Sequence, residues 1–305
     1  MKKEMTKLLL EYDLISEEEA EQLESLNEET ITNSIKELGF NKTDNITKEK
    51  IKENLDTAVL GNEIYCFRKV FSTNNIAKFL ANHGSPEGTV VISEIQTKAR
   101  GRSGTKWESP EGGIWMSIIL RPNLEPSKAS LITLATGVAI ANTIRKTGIN
   151  AKIKWPNDVL IGGKKVSGVL TEANITQNNL DYVVVGIGID TNLNIEDLSD
   201  DLKEGATTLH DEMKMEKVNE NIIIASFLKE FEEIYNLYLE QKIETILKDW
   251  RDLSDTIGRY VEITQALGQK TIGYAVGINK EGSLIIEKAD GTLEKIISGR
   301  LRAIE

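Results

Sequence analysis

Cysteine is almost absent from this 305-residue chain: Cys66 stands alone. An intramolecular disulfide framework and a cysteine-rich zinc module are therefore excluded, and the usage suits a reducing compartment, which predicts a cytoplasmic address. Positive charge is also scarce, with 37 Lys and Arg against 48 Asp and Glu and a net charge of -11. Nucleic-acid binding by bulk charge is excluded on that balance. Long apolar runs are missing too. The first ten residues hold only Leu8, Leu9 and Leu10 as an apolar run, with no small-residue cleavage site behind them, so no secretion signal is expected. Residues 129–144 fall short of the roughly 20 that a bilayer demands and carry Ser130, Thr133, Thr136, Asn142 and Thr143. They predict a buried helix of a soluble protein and no membrane partner. Neither an internal repeat nor a low-complexity stretch is present. What remains is a chain with 40% hydrophobic residues, enough for a folded core and for two or three domains.

Arginine is missing altogether from residues 1–58, where 8 lysines meet 15 acidic residues for a balance of -7, leaving -4 for the other residues. Ser16 opens a Ser-Glu-Glu-Glu capping pattern ahead of Ala20 and Leu23. Asn27 caps a second helix holding Ile31, Ile35 and Leu38, which Gly39 stops. Residues 1–45 thus read as a short helical unit resembling a reduced helix-turn-helix, and residues 46–58 as a connecting helix, centred on 47–55. From Glu63 the hydrophobic period changes. Strands are expected at 64–70, 89–95 and 114–120, a helix near 75–82, and a longer helix at 127–147 ended by Gly148. Further strands follow at 151–155, 166–171 and 182–189, then helices around 218–239 and 243–253. Strands outnumber crossover helices, so residues 59–254 predict an α+β domain on a mixed sheet rather than a strictly parallel one. Residues 255–305 offer only short strands, at 260–264, 270–278, 283–288 and 293–297, spaced by Gly268, Gly282 and Gly291. A small β-barrel is the natural reading.

The most informative stretch runs from Gln96 to Trp107. Lys98, Arg100, Arg102 and Lys106 sit there with Gly101 and Gly104, and no acid intervenes between Glu94 and Glu108. A solvated basic loop explains that composition as well. Function is favoured by the combination: glycines let backbone amides approach a polyanion, arginines offer forked donors to phosphate oxygens, and a tryptophan stacks on a flat base. The Gly-Lys-Ser or Gly-Lys-Thr ending of a P-loop is absent, so side chains must help hold any phosphate. Lys154-Trp155-Pro156-Asn157-Asp158 follows a strand, and Pro156 forces Trp155 out of helical dihedrals. Asn157 and Asp158 are thereby presented at a strand end, although a plain β-turn accounts for them locally. Gly162-Gly163 then makes a hairpin, with Lys165 on the returning strand, where an isolated lysine is usually solvated. Ser72-Thr73-Asn74 can cap the helix beginning near Asn75 or grip a polar heterocycle. Gly186-Ile187-Gly188-Ile189-Asp190 closes an apolar strand, where glycine signals packing, a bulge or close backbone approach.

Taken in order, these motifs resemble the biotin protein ligases. The family pattern is Ser-Thr-Asn, then Gln-Thr-x-Gly-Arg-Gly-Arg-x-Gly-x-x-Trp, then Lys-Trp-Pro-Asn-Asp, then Gly-Lys-Lys-x-x-Gly-x-Leu-x-Glu, then Gly-x-Gly-Ile-Asn. Here the five read as Ser72 to Asn74, Gln96 to Trp107, Lys154 to Asp158, Gly163 to Glu172 and Gly186 to Asp190. The resemblance covers residues 64–305, including the β-rich tail, which it identifies as an SH3-like barrel. Two departures stand out. Ala99 replaces the first glycine of Gly-Arg-Gly-Arg, which would strain the loop if that position needs positive φ. Asp190 replaces the final asparagine, which would bring negative charge towards a nucleotide unless a magnesium ion lies between.

The resemblance implies adenylation of biotin by ATP, with biotin and ATP as substrates and Mg2+ bridging the phosphates. Transfer to a lysine of a biotin carboxyl carrier protein domain follows. It implies Arg102 and Lys165 as the catalytic cations that meet charge developing at phosphorus, Lys165 also orienting the biotin carboxylate. Ser72, Thr73, Asn74, Gln96, Arg100, Gly101, Arg102 and Lys165 become the biotin-side residues. Arg102, Trp107, Asn157, Lys165 and Asp190 become the ATP-side residues, Asp158 a group to assist deprotonation of the acceptor lysine, and no protein metal ligand is assigned. The basic loop is expected to close over the adenylate, keeping water from the anhydride. Some family members also act as biotin-sensing repressors. Against that role here, residues 28–38 offer Lys36 alone against Glu28, Glu29 and Glu37, and too few residues precede Ile46 for a β-hairpin wing. A lipoate ligase of related architecture is the third alternative, disfavoured by the Gly-Arg-Gly-Arg-like loop and Lys-Trp-Pro-Asn-Asp. Monomer and homodimer are both left open.

Overall fold

In the computed structural model the described residues are 45–304, apart from Asn178, together with Leu10. The two short helices expected within residues 1–45 lie outside the described residues. The connecting helix is shorter than expected: α1 spans Lys48–Lys52, capped by Thr47, whose side chain accepts from the Lys50 amide.

Seven strands make the main sheet. β1 (Ile64–Val70), α2 (Thr73–Asn82) and β2 (Val90–Gln96) form a crossover unit, and β1 and β2 pair in parallel. β3 (Gly113–Leu120), β4 (Ala151–Lys154), β5 (Asp158–Ile161), β6 (Lys164–Thr176) and β7 (Asn179–Asp190) complete it in the order β1-β2-β3-β7-β6-β5-β4. Every pairing after the first is antiparallel, which makes the sheet mixed, as the ratio of strands to crossover helices predicts. Both faces are covered, and this explains why β3 is buried at all eight positions instead of alternating.

Side-chain parity separates the faces. Ile114, Met116, Ile118 and Leu120 of β3 and Val183, Val185, Ile187 and Ile189 of β7 join the large core under two long helices, α3 (Ala129–Arg145) and α6 (Glu220–Leu239). The opposite parity, Trp115, Ser117 and Ile119 of β3 with Gly186, Gly188 and Asp190 of β7, faces α2 and the 97–112 loop. That second face carries the candidate site. Between β7 and α6 lie two short helices, α4 (Asp200–Lys203) and α5 (Leu209–Met213).

Past α7 (Ile243–Leu253) the chain forms a second sheet of five antiparallel strands: β8 (Tyr260–Thr264), β9 (Lys270–Ile278), β10 (Leu284–Glu287), β11 (Leu293–Ile296) and β12 (Arg300–Ala303). Their order, β11-β10-β9-β8-β12, is a four-strand meander with the last strand returned beside the first. The two sheets share one apolar core, to which Trp155 contributes along with Val261, Ile263, Ala275, Leu284 and Ile286. Hydrogen bonds reinforce the join. Asp255 N–H donates to the Ile153 carbonyl (2.8 Å) and Trp155 Nε1–H to the Gly282 carbonyl (3.2 Å). At the other end of the described chain, α6 anchors the connecting segment: Asn221 holds Thr47 and Asn45, while the Glu232 carboxylate accepts from the amides of Ala58 and Val59. Eleven residues separate Asn221 from Glu232, about three turns, so both project from one side of the helix.

Candidate active site

The polar end of the site is built where β1 feeds α2. Ser72 is the N-cap residue of α2, yet its side chain makes no capping hydrogen bond, so the local capping account offered by the sequence does not describe it. Ser72, Thr73 and Asn74 are all buried. Gln96, at the end of β2, accepts from both the Thr73 amide (2.8 Å) and the Thr73 hydroxyl (3.1 Å), and its Nε2 donates to Ser109 (3.0 Å). Ser117 of β3 donates towards Thr73 Oγ1 (2.7 Å) and Asn74 Oδ1 (2.6 Å). Asn74 Nδ2 in turn donates to Glu172 of β6 (2.8 Å), which also pairs with Lys78 (3.0 Å). Gly186 makes this arrangement feasible, because a Cβ there would lie 2.2 Å from Asn74 Oδ1.

Two residues further along β7, about 7 Å on at the usual rise, Gly188 performs the same service for Trp107. A Cβ on Gly188 would lie 2.7 Å from Trp107 Cζ2, and one on Gly168 of β6 2.9 Å from Trp107 Cζ3. The indole therefore lies flush on bare backbone. It also meets Trp115, edge-on with centroids 6.4 Å apart, and Lys165, whose Nζ is 4.7 Å from the ring centroid. Lys165 reaches this face through a bulge: Leu160 pairs with Lys165 but Val159 with Ser167, so Val166 is the extra residue. That shift turns Val166 into the core and brings Lys165 alongside Gly168.

Lys165 pairs with Asp158 (2.6 Å), so the aspartate expected to assist deprotonation is engaged by a cation. Asn157 bonds across the hairpin, its Nδ2 donating to the Val169 carbonyl (2.8 Å). More cations gather here. Lys154 interacts electrostatically with Asp158, Lys165 and Arg300, and burial is the chief influence pulling its ammonium below the ordinary lysine range. Arg102 is half-buried near Asp158, burial drawing its guanidinium down from the usual value, and donates to the Gly299 carbonyl of the second sheet (2.8 Å).

Asp190 closes β7. Burial pushes its carboxyl up to about 8, while the charge of Lys165 pulls the other way. At neutral pH it is the protonated acid that faces the site. The expected repulsion of a nucleotide by a bare negative charge is corrected on that account: like the family's asparagine, the neutral carboxyl presents one donor and one acceptor.

The basic loop is a closed hairpin. Trp107 N–H bonds to Ala99 O (3.0 Å) and Gly101 N–H to Thr105 O (2.7 Å). Ala99 is buried and does not adopt positive φ, so the conditional strain raised by the missing glycine does not arise. Ser103 takes the left-handed conformation instead, with φ 55°. Arg100 reaches back to Asn75 Oδ1 (3.0 Å), tying the loop to α2.

The twelve residues expected from the sequence, Asp158 included, come from the β1–α2 corner, the ends of β2 and β7, the basic loop, and strands β5 and β6 with the turn before them. Sequence reasoning did not single out Ser109, Ser117 and Arg300, and it quoted Lys154 and Glu172 within motifs without giving either a role. Parity within β3 and β7 would have found Ser117, the one hydroxyl in an otherwise apolar strand. Among the described residues no group of three or more His, Cys, Asp or Glu side chains forms a metal cage, and none of the helices is long and apolar enough to cross a membrane.

Two families match the chain: the biotin/lipoate A/B protein ligase family over residues 66–190 and the biotin protein ligase C-terminal domain over residues 256–300. The bifunctional ligase/repressor BirA of Bacillus spizizenii is 37% identical over 255 residues, covering 83% of this chain and 78% of that protein. The biotin–[acetyl-CoA-carboxylase] ligase of Mycobacterium tuberculosis is 30% identical over 217 residues, covering 68% of this chain and 76% of that one. Among solved structures, the biotin protein ligase from Aquifex aeolicus in complex with biotin and ATP superposes with a TM-score of 0.68 at 28% identity, over 79% of this chain and 99% of that chain. The family matches span both sheets and the relatives reach 37% and 30% identity over most of the chain, so this chain belongs to the biotin protein ligase family.

Proposed function

We propose that this chain adenylates biotin with ATP and transfers the biotinyl group to a specific lysine of a biotin carboxyl carrier protein domain. The observation that carries the reading is the linear order along β7. A cradle of neutral hydrogen-bonding groups sits over Gly186, an indole over Gly188 with the Lys165 ammonium against its ring, and a neutral acid at Asp190 within reach of that lysine's charge. A ureido ring suits the first position, a carboxylate and phosphate the second and third.

In this reading Ser72, Thr73, Asn74, Gln96 and Ser117 hold the ring, with Arg100 and Gly101 covering it from the loop. Lys165 orients the biotin carboxylate, whose oxygen attacks the α-phosphorus of ATP and expels pyrophosphate. Lys165 and Arg102 meet the charge that develops there, as preorganised cations in a half-buried site. Trp107, Asn157 and Asp190 belong to the nucleotide side. In the second step the acceptor lysine's amine attacks the anhydride carbonyl, the C–O bond to phosphate breaks and AMP departs. Mg2+ is normally bound through one or two carboxylates together with substrate phosphates. With Asp190 neutral and Asp158 paired to Lys165, no carboxylate of this chain is assigned to the ion, which would arrive with ATP on its phosphates and neutralise their charge. We assign residues 59–254 to catalysis, 255–305 to the barrel and 1–58 to the helical unit and its connector, and place the protein in the cytoplasm on its single cysteine. The acidic, arginine-free first 58 residues support a ligase without a DNA-binding role.

Hydroxylamine trapping tests the reading. Biotin and ATP with the full chain should yield biotin hydroxamate and pyrophosphate, and lipoate should yield none. Hydroxamate from lipoate alone would overturn it.

A further inference from the structure

We infer that Glu172 is a positioning residue for the ring-binding end of the site: it fixes the carboxamide of Asn74 with its oxygen inward, so that the pocket presents an acceptor to a ligand N–H. The inference rests on the biotin reading above and names which chain group sets the polarity of that subsite.

Glu172 lies on β6 and Asn74 in the first turn of α2, 98 residues apart. Asn74 and Lys78 are four residues apart on one helix, so a single carboxylate can take both, Oε2 from the Asn74 amide and Oε1 from the Lys78 ammonium. Burial opposes ionisation of Glu172, but the hydrogen bonds from Asn74 and Lys78 prevail and hold its carboxyl below the ordinary glutamate value. An ionised carboxylate only accepts. It must therefore face the NH2 edge of Asn74, and the amide oxygen is left to point at Ser117, 2.6 Å away. Ser117 has one proton for two acceptors, Asn74 Oδ1 and Thr73 Oγ1, while the Thr73 hydroxyl proton is directed to Gln96. Spare lone pairs on Asn74 and Thr73 consequently remain, as a cyclic urea's N–H groups require. Gly186 adds the steric half of the device, because its missing Cβ is what lets Asn74 Oδ1 lie against β7. Without Glu172 the amide is free to turn over, presenting a donor where the ligand also has one.

A swap of polarity tests this. Biotin binding to the full chain without ATP is measured by calorimetry for wild type, Glu172→Gln, Asn74→Asp and the double variant, with ATP affinity, steady-state constants and thermal unfolding recorded alongside. Asn74→Asp sets two carboxylates against each other and should weaken biotin binding at least tenfold; Glu172→Gln should weaken it about fivefold. The double variant restores a donor-acceptor pair, with the introduced amide donating to the introduced carboxylate, and should recover to within about threefold of wild type. KM for biotin should follow these changes, with kcat and the affinity for ATP nearly constant. Losses that simply add in the double variant, or a Glu172→Gln protein with normal biotin affinity and a lowered unfolding temperature, would overturn the assignment and leave an ordinary ion pair. A wild-type protein that bound no biotin would instead overturn the proposed function on which it rests.

Discussion

Replacing Asp190 by Asn tests how this site tolerates an acid where the family has an amide. The side chain is only 7% exposed, opposite Gly113 in the β3–β7 ladder, and burial raises its carboxyl from 3.8 to about 8. Between those two values the unfolded chain has released its proton and the folded chain has kept it. Stability from this group is therefore complete below pH 3.8, declines as pH rises, and is fully lost once pH passes about 8. The slope is about 1.4 kcal/mol per pH unit, so between pH 5 and 7 the wild type should lose roughly 2.7 kcal/mol that a non-titrating asparagine does not. Urea unfolding of wild type and Asp190→Asn at pH 5, 6 and 7 reads this directly as a gap that widens with pH, whatever constant offset the amide itself introduces. A gap that stayed flat across that range would refute the reasoning, since Asp190 would then be an ordinary ionised carboxylate held by an unrecognised cation.

Four further outcomes are expected. Lys165→Ala should slow adenylate formation by more than tenfold with the fold intact, measured as single-turnover pyrophosphate release. Arg102→Gly removes the guanidinium that bridges to Gly299 and should let biotinyl-adenylate escape, read as indiscriminate labelling of bystander lysines; retention equal to wild type would reduce Arg102 to a tie between the loop and the second sheet. Gly188→Ala puts a methyl 2.7 Å from the Trp107 ring and should raise KM for ATP at least tenfold while leaving biotin affinity within about threefold, since the ring cradle sits two residues away. Full-length protein with biotin and ATP should give no specific shift of its own upstream DNA at near-physiological salt, because residues 1–58 carry a balance of -7 without an arginine. Tight, sequence-dependent binding that weakens steeply with salt would reverse that expectation.

Much of the architecture was legible because hydrophobic period and glycine punctuation coincide. β1, α7, β8 and β9 fall where the sequence places them, at residues 64–70, 243–253, 260–264 and 270–278. Two strands were not foreseen. β12, Arg300–Ala303, is three parts polar or small, and only its pairing with β8 makes it a strand. β5, Asp158–Ile161, hides behind turn-forming Pro156-Asn157, although the hairpin beyond it was expected from Gly162-Gly163, both of which take positive φ. The site residues were legible as motifs, whereas their connections were not. Nothing local in the sequence links Glu172 to Asn74 or Arg102 to Gly299, contacts that span 98 and 197 residues. The bulge at Val166 was equally hidden, and without it strict alternation would turn Lys165 away from Gly168.

The Arg102–Gly299 contact ties the second sheet to the chemistry. The basic loop is fastened at its base by backbone pairs, and Ser103 and Gly104 at its tip both adopt positive φ, so the guanidinium is presented on a short, shaped arm. On the proposed reading, to meet a phosphate it exchanges one carbonyl for charged oxygens. Both bonds have a charged donor, but phosphate adds an opposite charge and a forked geometry that one carbonyl cannot match, so on that reading nucleotide outcompetes the Gly299 carbonyl for Arg102. On the same proposed reading, the second sheet holds the arginine near its working position until ATP takes it, which would shorten the rearrangement needed for closure. Its position is in turn fixed by Trp155, buried in the core shared by both sheets and directly preceding Pro156, Asn157 and Asp158. The same motif that sets the Asp158–Lys165 pair therefore also sets where the second sheet sits, and the order of these residues in the chain couples the two halves of the site.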